Sequence, residues 1–496
     1  MLSEHCFVVK LPKSEYLPSF AKAVILHPKS EIVNLFLYYM ANKTILSFML
    51  ACSIGSAFAQ GNTDATTGAT PIHHSQDSLC IPEDAHTIYG DLNSFSKWRI
   101  GGYGEVVAAF KKYGTNRFYG NSEGNPKESR NTIAIPRVVI AGDYKFNSKW
   151  ILGVEVEFEA GGTGTSYELE NTENGEYETE VEKGGEVALE QLHITLLIHR
   201  AFNVRAGHII VPVGLTNNHH EPNQFFGTVR PEGETTIIPS TWHETGLEFF
   251  GNFGKGYAAF DYEAMIVTGL NANGFDRNKW AGGGKQGKFE VDNFTCPAFV
   301  ARLNWHGVKG LRLGTSFYYC SNVGGNADKS QTYAGFGKTP VRIYTLDGQY
   351  RNQWVEARTN FMWGNLTNSS VLSAKNGKLS NKSGYSRLTP VAHKAVSYGG
   401  EAGLKIKGFF NSCPKFPDII PFVRYEYYNS QEDVVAPYNA DDRLKVGMFT
   451  TGINWRPLPC LVIKGDYTTR RIGSGKYNSE NEFAIGIAYT GWFAKR

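Results

Sequence analysis

Histidine and glutamate residues gather in one stretch of the chain and could bind a metal ion. His219, His220 and Glu221 are consecutive, and His243 and Glu244 follow further along. Imidazole nitrogens and carboxylate oxygens are common zinc ligands. Neighbouring histidines in a loop point in different directions, however, so we expect these side chains to fix the loop against its surroundings. The sequence therefore predicts no metal site and no cofactor.

Carboxylates on one face of an alternating segment indicate contact with water. In residues 150–160, Glu155, Glu157 and Glu159 share one face, and Trp150 and Val154 lie on the other. An amphipathic helix would space its apolar residues three or four apart, so this period of two predicts a β-strand. Three charged side chains on one face need solvent, and a water-filled lumen would supply it.

The whole chain repeats this alternation in sixteen short segments. The predicted strands are 98–111, 132–146, 150–160, 186–199, 202–211, 243–251, 256–267, 297–306, 311–320, 340–350, 354–364, 396–407, 419–429, 443–455, 460–471 and 481–490. Their connections are alternately short and long, as in the periplasmic turns and outer loops of a transmembrane barrel. The pattern predicts an all-β transmembrane antiparallel β-barrel of about 16 strands over residues 98–493, with Trp98, Trp150, Trp305 and Trp455 in a lipid-facing girdle.

The third long connection, residues 212–242, has a composition unlike the other connections. Its prolines and apolar pairs, including Ile237-Ile238-Pro239, predict an ordered segment. An ordered third loop in a sixteen-stranded barrel would fold inward and narrow the lumen.

Charged residues that face the lumen are candidates for contact with a solute. Our candidate pore-lining residues are Arg205, Arg230, Glu234, Arg358, Arg424 and Lys464. Anion selection needs clustered cationic side chains, but lumen-facing acidic and basic residues nearly balance in this sequence. We therefore favour a general diffusion pore over a dedicated phosphate channel.

A family resemblance begins in the fifth predicted strand, 202–211. Arg205, Gly207, Pro212 and Gly214 form the pattern R-x-G-x-x-x-x-P-x-G, which resembles a stretch of the phosphate-selective porins of the O/P type. Further similar motifs follow in order, at 219–222, 230–231, 238–246, 421–426, 452–457, 464–467 and 483–489. The likeness spans roughly residues 98–493. It implies a sixteen-stranded homotrimeric channel of the bacterial outer membrane, in contact with lipid and lipopolysaccharide, that passes small hydrophilic solutes or anions such as phosphate.

The N-terminal region predicts export. Met40 opens a run that leads through apolar residues 45–57 to a small-x-small site ending at Ala59, typical of a signal peptide over 40–59. Residues 1–39 are interpreted as an over-long start, and residues 60–97 as a periplasmic leader or short arm. A lipoprotein anchored at Cys52 is the competing interpretation.

Cysteine positions suggest one cross-link. Cys296 and Cys320 fall at the outer ends of neighbouring predicted strands and share the lumen-facing parity. Because export permits disulfides, we treat a Cys296–Cys320 bond as a hypothesis.

Two other classes of protein are alternatives to a pore. An outer-membrane enzyme would need a serine, a histidine and an acidic or amide partner on the lipid face, and the alternation offers no convincing set. A surface adhesin or binding barrel without an open channel is compatible with the long loops. A net charge of +3 argues against nucleic acid as a partner.

Overall fold

One antiparallel β-sheet of 17 strands forms the described part of the chain. The computed structural model describes residue 92 and residues 95–113, 128–171, 177–286, 292–378, 389–410, 416–473 and 478–496. The predicted start extension 1–39, the signal peptide 40–59 and most of the leader 60–97 lie outside these residues and stay predictions.

The strands follow each other around the sheet in chain order. They are β1 (Trp98–Tyr113), β2 (Glu128–Ala134), β3 (Arg137–Lys145), β4 (Trp150–Asn171), β5 (Tyr177–His199), β6 (Phe202–Ile210), β7 (His243–Phe253), β8 (Phe260–Val267), β9 (Ala298–Val308), β10 (Leu311–Cys320), β11 (Val341–Arg351), β12 (Val355–Leu366), β13 (Lys394–Leu404), β14 (Asp418–Asp433), β15 (Lys445–Leu458), β16 (Leu461–Ile472) and β17 (Ser479–Lys495). Among the described residues, two α-helices lie in outer connections, α1 (Glu232–Ile237) and α2 (Ser369–Asn376). Short 3-10 helices span Gly256–Ala258, Ala272–Gly274, Val323–Asn326, Ser330–Thr332, Ile406–Phe409 and Asp442–Leu444.

The sheet closes on itself between its first and last strands. β1 pairs with β17 from Arg99↔Lys495 to Lys112↔Asn481, and its other edge pairs with β3 and β2. At the seam, the Arg496 carbonyl accepts hydrogen bonds from the backbone N–H groups of Ser96, Lys97 and Trp98. A closed sheet has no unpaired edge, so the predicted all-β transmembrane antiparallel barrel is confirmed.

One predicted strand is divided in the structure. Residues 132–146 form β2 and β3, which both pair with β1 and are separated by Ile135 and Pro136. Proline has no backbone N–H to donate and is tolerated in a sheet at such interruptions. The barrel thus has sixteen strand positions and one extra strand.

The hairpin of β4 and β5 is longer than predicted. The predicted strands 150–160 and 186–199 leave a long outer connection between them, but β4 and β5 stay paired as far as Asn171↔Tyr177. Tyr167 and Leu169 alternate with Glu168 and Glu170 there, and this period of two continues the strand pattern.

Apolar side chains form a belt around the outside of the barrel. Trp150, Tyr425 and Ile453 are 43%, 50% and 55% exposed, whereas the alternate residues Glu155 and Glu157 are 1% and 4% exposed. A transmembrane barrel has an apolar band on its outer surface, which lipid chains cover, and polar side chains in its interior. Separately, none of the helices among the described residues is both long enough and apolar enough to cross a membrane.

Candidate pore constriction

The third outer connection, residues 211–242, lies inside the barrel. We call this segment L3. Its side chains from Val211 to Glu221 are all buried, and Trp242 at its other end is fully buried. L3 therefore lies within the lumen, and its contacts with the wall hold it there.

Lys464 on β16 holds the middle of L3. Its ammonium group donates hydrogen bonds to the carbonyl oxygens of Phe225 and Gly227, both at 2.8 Å, and to that of Pro222. On the same strand, Asp466 accepts a hydrogen bond of 2.5 Å from the Thr228 N–H. One strand thus contacts both the donors and the acceptors of the L3 backbone.

A buried carboxylate on β13 joins L3 to two arginines. Glu401 accepts hydrogen bonds of 2.8 Å from the Nε atoms of Arg358 and Arg424, and a longer one from the Phe226 N–H. Arg424 also donates to the Val229 carbonyl over 2.9 Å. The two arginines compensate the charge of the Glu401 carboxylate, and these hydrogen bonds fix L3 at Phe226 and Val229.

Glu234 fixes the shape of L3 from within. Its carboxylate accepts hydrogen bonds from the N–H groups of Thr216 at 2.9 Å and Asn217 at 3.3 Å, and from Asn360 of β12 at 2.8 Å. Burial raises the pKa of Glu234 although these hydrogen bonds act in the opposite direction. Gly214 lies against it at φ +84°, where an added Cβ would be 1.8 Å from Oε1, so only glycine fits.

Other strands, including β9 across the barrel from β16, supply further contacts to L3. Arg302 donates to the Gly214 carbonyl over 3.1 Å while it pairs with Asp347 at 2.8 Å. Arg137 donates to the His220 carbonyl over 2.7 Å. L3 is therefore bonded to strands on both sides of the lumen.

The six residues proposed to line the pore occupy different environments. Arg358, Arg424, Lys464 and Glu234 are buried in the contacts above, and Arg205 is buried against Glu248 at 2.8 Å and Thr195 at 3.0 Å. Arg230 is partly exposed and donates to the Ser240 and Thr241 hydroxyls over 2.7 and 3.2 Å. Contact of these six with a passing solute stays a prediction.

Lys285, in the fourth outer connection, was not predicted from the sequence. It is exposed and donates to the Thr241 carbonyl over 3.1 Å, so it lies beside the hydroxyl that Arg230 contacts. Neither cation forms an ion pair within the described residues. Strand parity could not identify Lys285 because it lies in a glycine-rich loop, where alternation carries no information.

An apolar core of outer connections holds the outer side of L3. Ile237, Ile238 and Trp242 belong to one buried cluster with Phe275 and Trp280 of the fourth connection. The Trp280 indole also donates to the Ala392 carbonyl over 3.0 Å. L3 is therefore held between the wall and the loops.

The predicted disulfide is absent from the structure. Cys296 and Cys320 are free thiols, and the Cys320 thiol instead donates to the Cys296 carbonyl over 3.3 Å. In the register of β9 and β10, Cys320 lies opposite Ala298. Cys296 is two residues before Ala298, so the two cysteines do not face each other across the strands.

The fold and its surfaces define a class of protein. A closed antiparallel barrel with an apolar outer belt, a charged lumen and an inward loop is an integral outer-membrane β-barrel. No family model matches the chain. The resemblance to the phosphate-selective O/P porins therefore stays a prediction.

The chain is similar to particular solved structures and to one curated sequence, and the first of these shares its fold. The Salmonella typhi OmpF complex with daunomycin has a TM-score of 0.50 at 12% identity, covering 80% of this chain and 98% of that one. The outer membrane channel DcaP of Acinetobacter baumannii reaches 0.48 at 11% identity, covering 80% and 98%. In sequence, an uncharacterized protein of Aquifex aeolicus (strain VF5) is 24% identical over 390 residues, 78% of each chain.

Proposed function

We propose that the protein is a passive outer-membrane channel for small hydrophilic solutes. The observation that carries this proposal is L3, which crosses a charged lumen and is hydrogen-bonded to both walls. Such a segment sets the width of the path and lines it with backbone and polar groups. Diffusion follows the solute gradient, so the mechanism needs no cofactor and no catalytic residue.

The ion pairs of the wall favour a general pore over a dedicated phosphate channel. Arg137, Arg205 and Arg302 each pair with a buried carboxylate at 3.2, 2.8 and 2.8 Å. A guanidinium already bonded to a carboxylate offers little net charge to a passing anion. These pairs support the general diffusion pore that the balanced sequence predicts.

Arg230 and Lys285 give this pore a modest preference for anions. They converge on Thr241, are accessible, and form no ion pair among the described residues. Cationic side chains at a narrow point raise the local concentration of anions. Phosphate would be one such anion rather than the sole solute.

Single-channel recording of the refolded chain in a planar bilayer tests both parts of the proposal. We expect steady conductance steps and, across a KCl gradient, a reversal potential on the anion side. The double variant R230Q/K285Q should keep the steps and shift the reversal potential toward zero. The control K309Q, which removes one exposed charge from the turn between β9 and β10, should leave it unchanged.

The outcomes separate the two claims. A chain with barrel structure but no conductance would contradict the channel and favour a surface-binding barrel. Conductance with no anion preference, or with the same preference in the double variant, would contradict only the role of Arg230 and Lys285.

A further inference from the structure

Three buried side chains from separate elements meet where L3 contacts the barrel wall. Glu155 lies on β4, Glu190 on β5 and His220 in L3, and they are 1%, 3% and 2% exposed. One carboxylate oxygen from each glutamate and one ring nitrogen of His220 all lie within 4.8 Å of one another. Two carboxylates and an imidazole at this spacing can coordinate one metal ion.

A β-bulge places Glu190 in this group. In the pairing of β4 with β5, Gln191 lies opposite Glu155 and Leu189 opposite Val156, so Glu190 is the extra residue. Glu190 and Gln191 are therefore both buried on the lumen side, where regular alternation would allow one of them. Bulges redirect side chains in this way next to functional sites.

The hydrogen bonds of His220 orient its ring for metal binding. Nδ1 lies 2.8 Å from the Asn217 carbonyl oxygen. Since a carbonyl only accepts, Nδ1 carries the proton and Nε2 keeps its lone pair. Metal-bound histidines are typically held by such a bond from the second ring nitrogen.

Unpartnered polar atoms at the same place indicate a missing ligand. Within the described residues, Glu190 Oε2 and both ring nitrogens of His243 have no hydrogen-bond partner. His243 is fully buried, and its ring centroid lies 6.3 Å from that of His220. A buried polar atom without a partner costs about 1–3 kcal/mol, and a bound cation would remove that cost.

We propose that Glu155, Glu190 and His220 bind a divalent transition-metal ion of the zinc type. Zinc takes carboxylate oxygens and imidazole nitrogens at about 2.0–2.2 Å, so the three ligands need a small inward movement. The double positive charge offsets the excess of buried carboxylate at this site, to which Glu157 also contributes. His243, whose ring centroid lies 6.3 Å from that of His220, is a neighbour of the site and not one of the three ligands.

Metal binding would restrain L3 because two of the ligands belong to the barrel wall and the third belongs to L3. Glu155 and Glu190 belong to the barrel wall, whereas His220 belongs to the loop. An ion bound to all three joins L3 to the β4–β5 hairpin and restrains the loop. Arg230 and Lys285 are not among the ligands, and the proposal does not depend on solute transport.

Metal content of the full-length chain in detergent tests the proposal. After treatment with EDTA, the protein is dialysed against Zn²⁺, and bound zinc is measured by mass spectrometry. We expect one ion per chain. E190Q and H220Q should weaken binding at least about tenfold, since even residues supporting the ligands contribute that much. The control H199Q, at an exposed histidine, should bind as the unmodified chain does.

A second measurement needs no variant and covers the case in which one misfolds. X-ray absorption of the zinc-loaded chain should show imidazole scattering together with oxygen ligands. Absence of bound zinc, zinc bound without imidazole, or equal affinity in folded E190Q and H220Q would overturn the proposal.

Discussion

Lys464 shows how one side chain can hold a loop inside a barrel. Its ammonium group is buried and donates hydrogen bonds to three backbone carbonyl oxygens of L3, those of Pro222, Phe225 and Gly227. Hydrogen bonds to a charged group contribute about 1.5–3 kcal/mol each, which exceeds the contribution of most single contacts in a loop. The position of L3 therefore depends strongly on this residue.

Replacing Lys464 should release L3 without opening the barrel. K464Q leaves carbonyls of residues 222–227 without their donor, so we expect faster hydrogen exchange in L3 and noisier conductance. Hydrogen exchange of the backbone amides in the barrel strands should not change. K309Q again serves as the matched control, and unchanged exchange of L3 in K464Q would show that the other contacts suffice.

Residue types on strands could be predicted from the sequence, but their partners could not. Alternation correctly placed Glu155 and Glu157 toward the lumen because side chains of a strand must alternate. It could not show that Lys464 contacts Phe225, since that contact joins residues 239 positions apart. The bulge at Glu190 also escaped prediction, because it breaks the period on which the prediction depended.

At the scale of elements, β1 depends on a glycine where it meets β3. Gly102 has φ +151°, and an added Cβ would lie 2.0 Å from the Val139 carbonyl oxygen. The two strands can approach this closely only because the side chain is absent. Pro136 separates β2 from β3 beside the same strand. This part of the barrel therefore has both a close contact between strands and an interruption in a strand.

G102A should destabilise the barrel at this contact. We expect a loss of about 1–3 kcal/mol, typical of a backbone forced into an unfavourable conformation, measured by urea unfolding in lipid bilayers. The control is G447A in β15, where an added Cβ meets nothing within 4 Å. Equal stability of the two variants would contradict the argument.

The outer connections are also linked by charge. Asp441 pairs with Arg277 of the fourth connection at 2.5 Å and with Arg443 at 2.7 Å. Partial burial alone would raise the pKa of Asp441, but the hydrogen bonds and charge of Arg443, with the charge of Arg277, lower it. A lowered carboxyl pKa stabilises the folded loops above the ordinary value of 3.8.

Acid should therefore weaken the link between these two connections. As the pH falls from 3.8 through the lower pKa of the folded state, we expect exchange of residues 276–280 to accelerate beyond its intrinsic pH dependence. D441N should exchange faster at neutral pH and show no further acid response. An acid response of the same size in D441N would assign it to another group.

At the scale of the whole molecule, the predicted barrel is confirmed, while its assembly stays a prediction. We propose a homotrimer, as the resemblance to O/P porins implies. Native mass spectrometry from mild detergent should show a mass close to three chains that persists on dilution. A single-chain mass under conditions in which the barrel is folded would contradict it.

The seam between β1 and β17 has a consequence for biogenesis. β1 is among the first parts of the barrel to leave the ribosome and β17 the last, yet each supplies the other's pairing edge. Until β17 arrives, every partial sheet exposes two rows of unsatisfied peptide groups, which lipid cannot hydrogen-bond. The protein must therefore enter the membrane after synthesis is complete, or with its open edges shielded by another molecule.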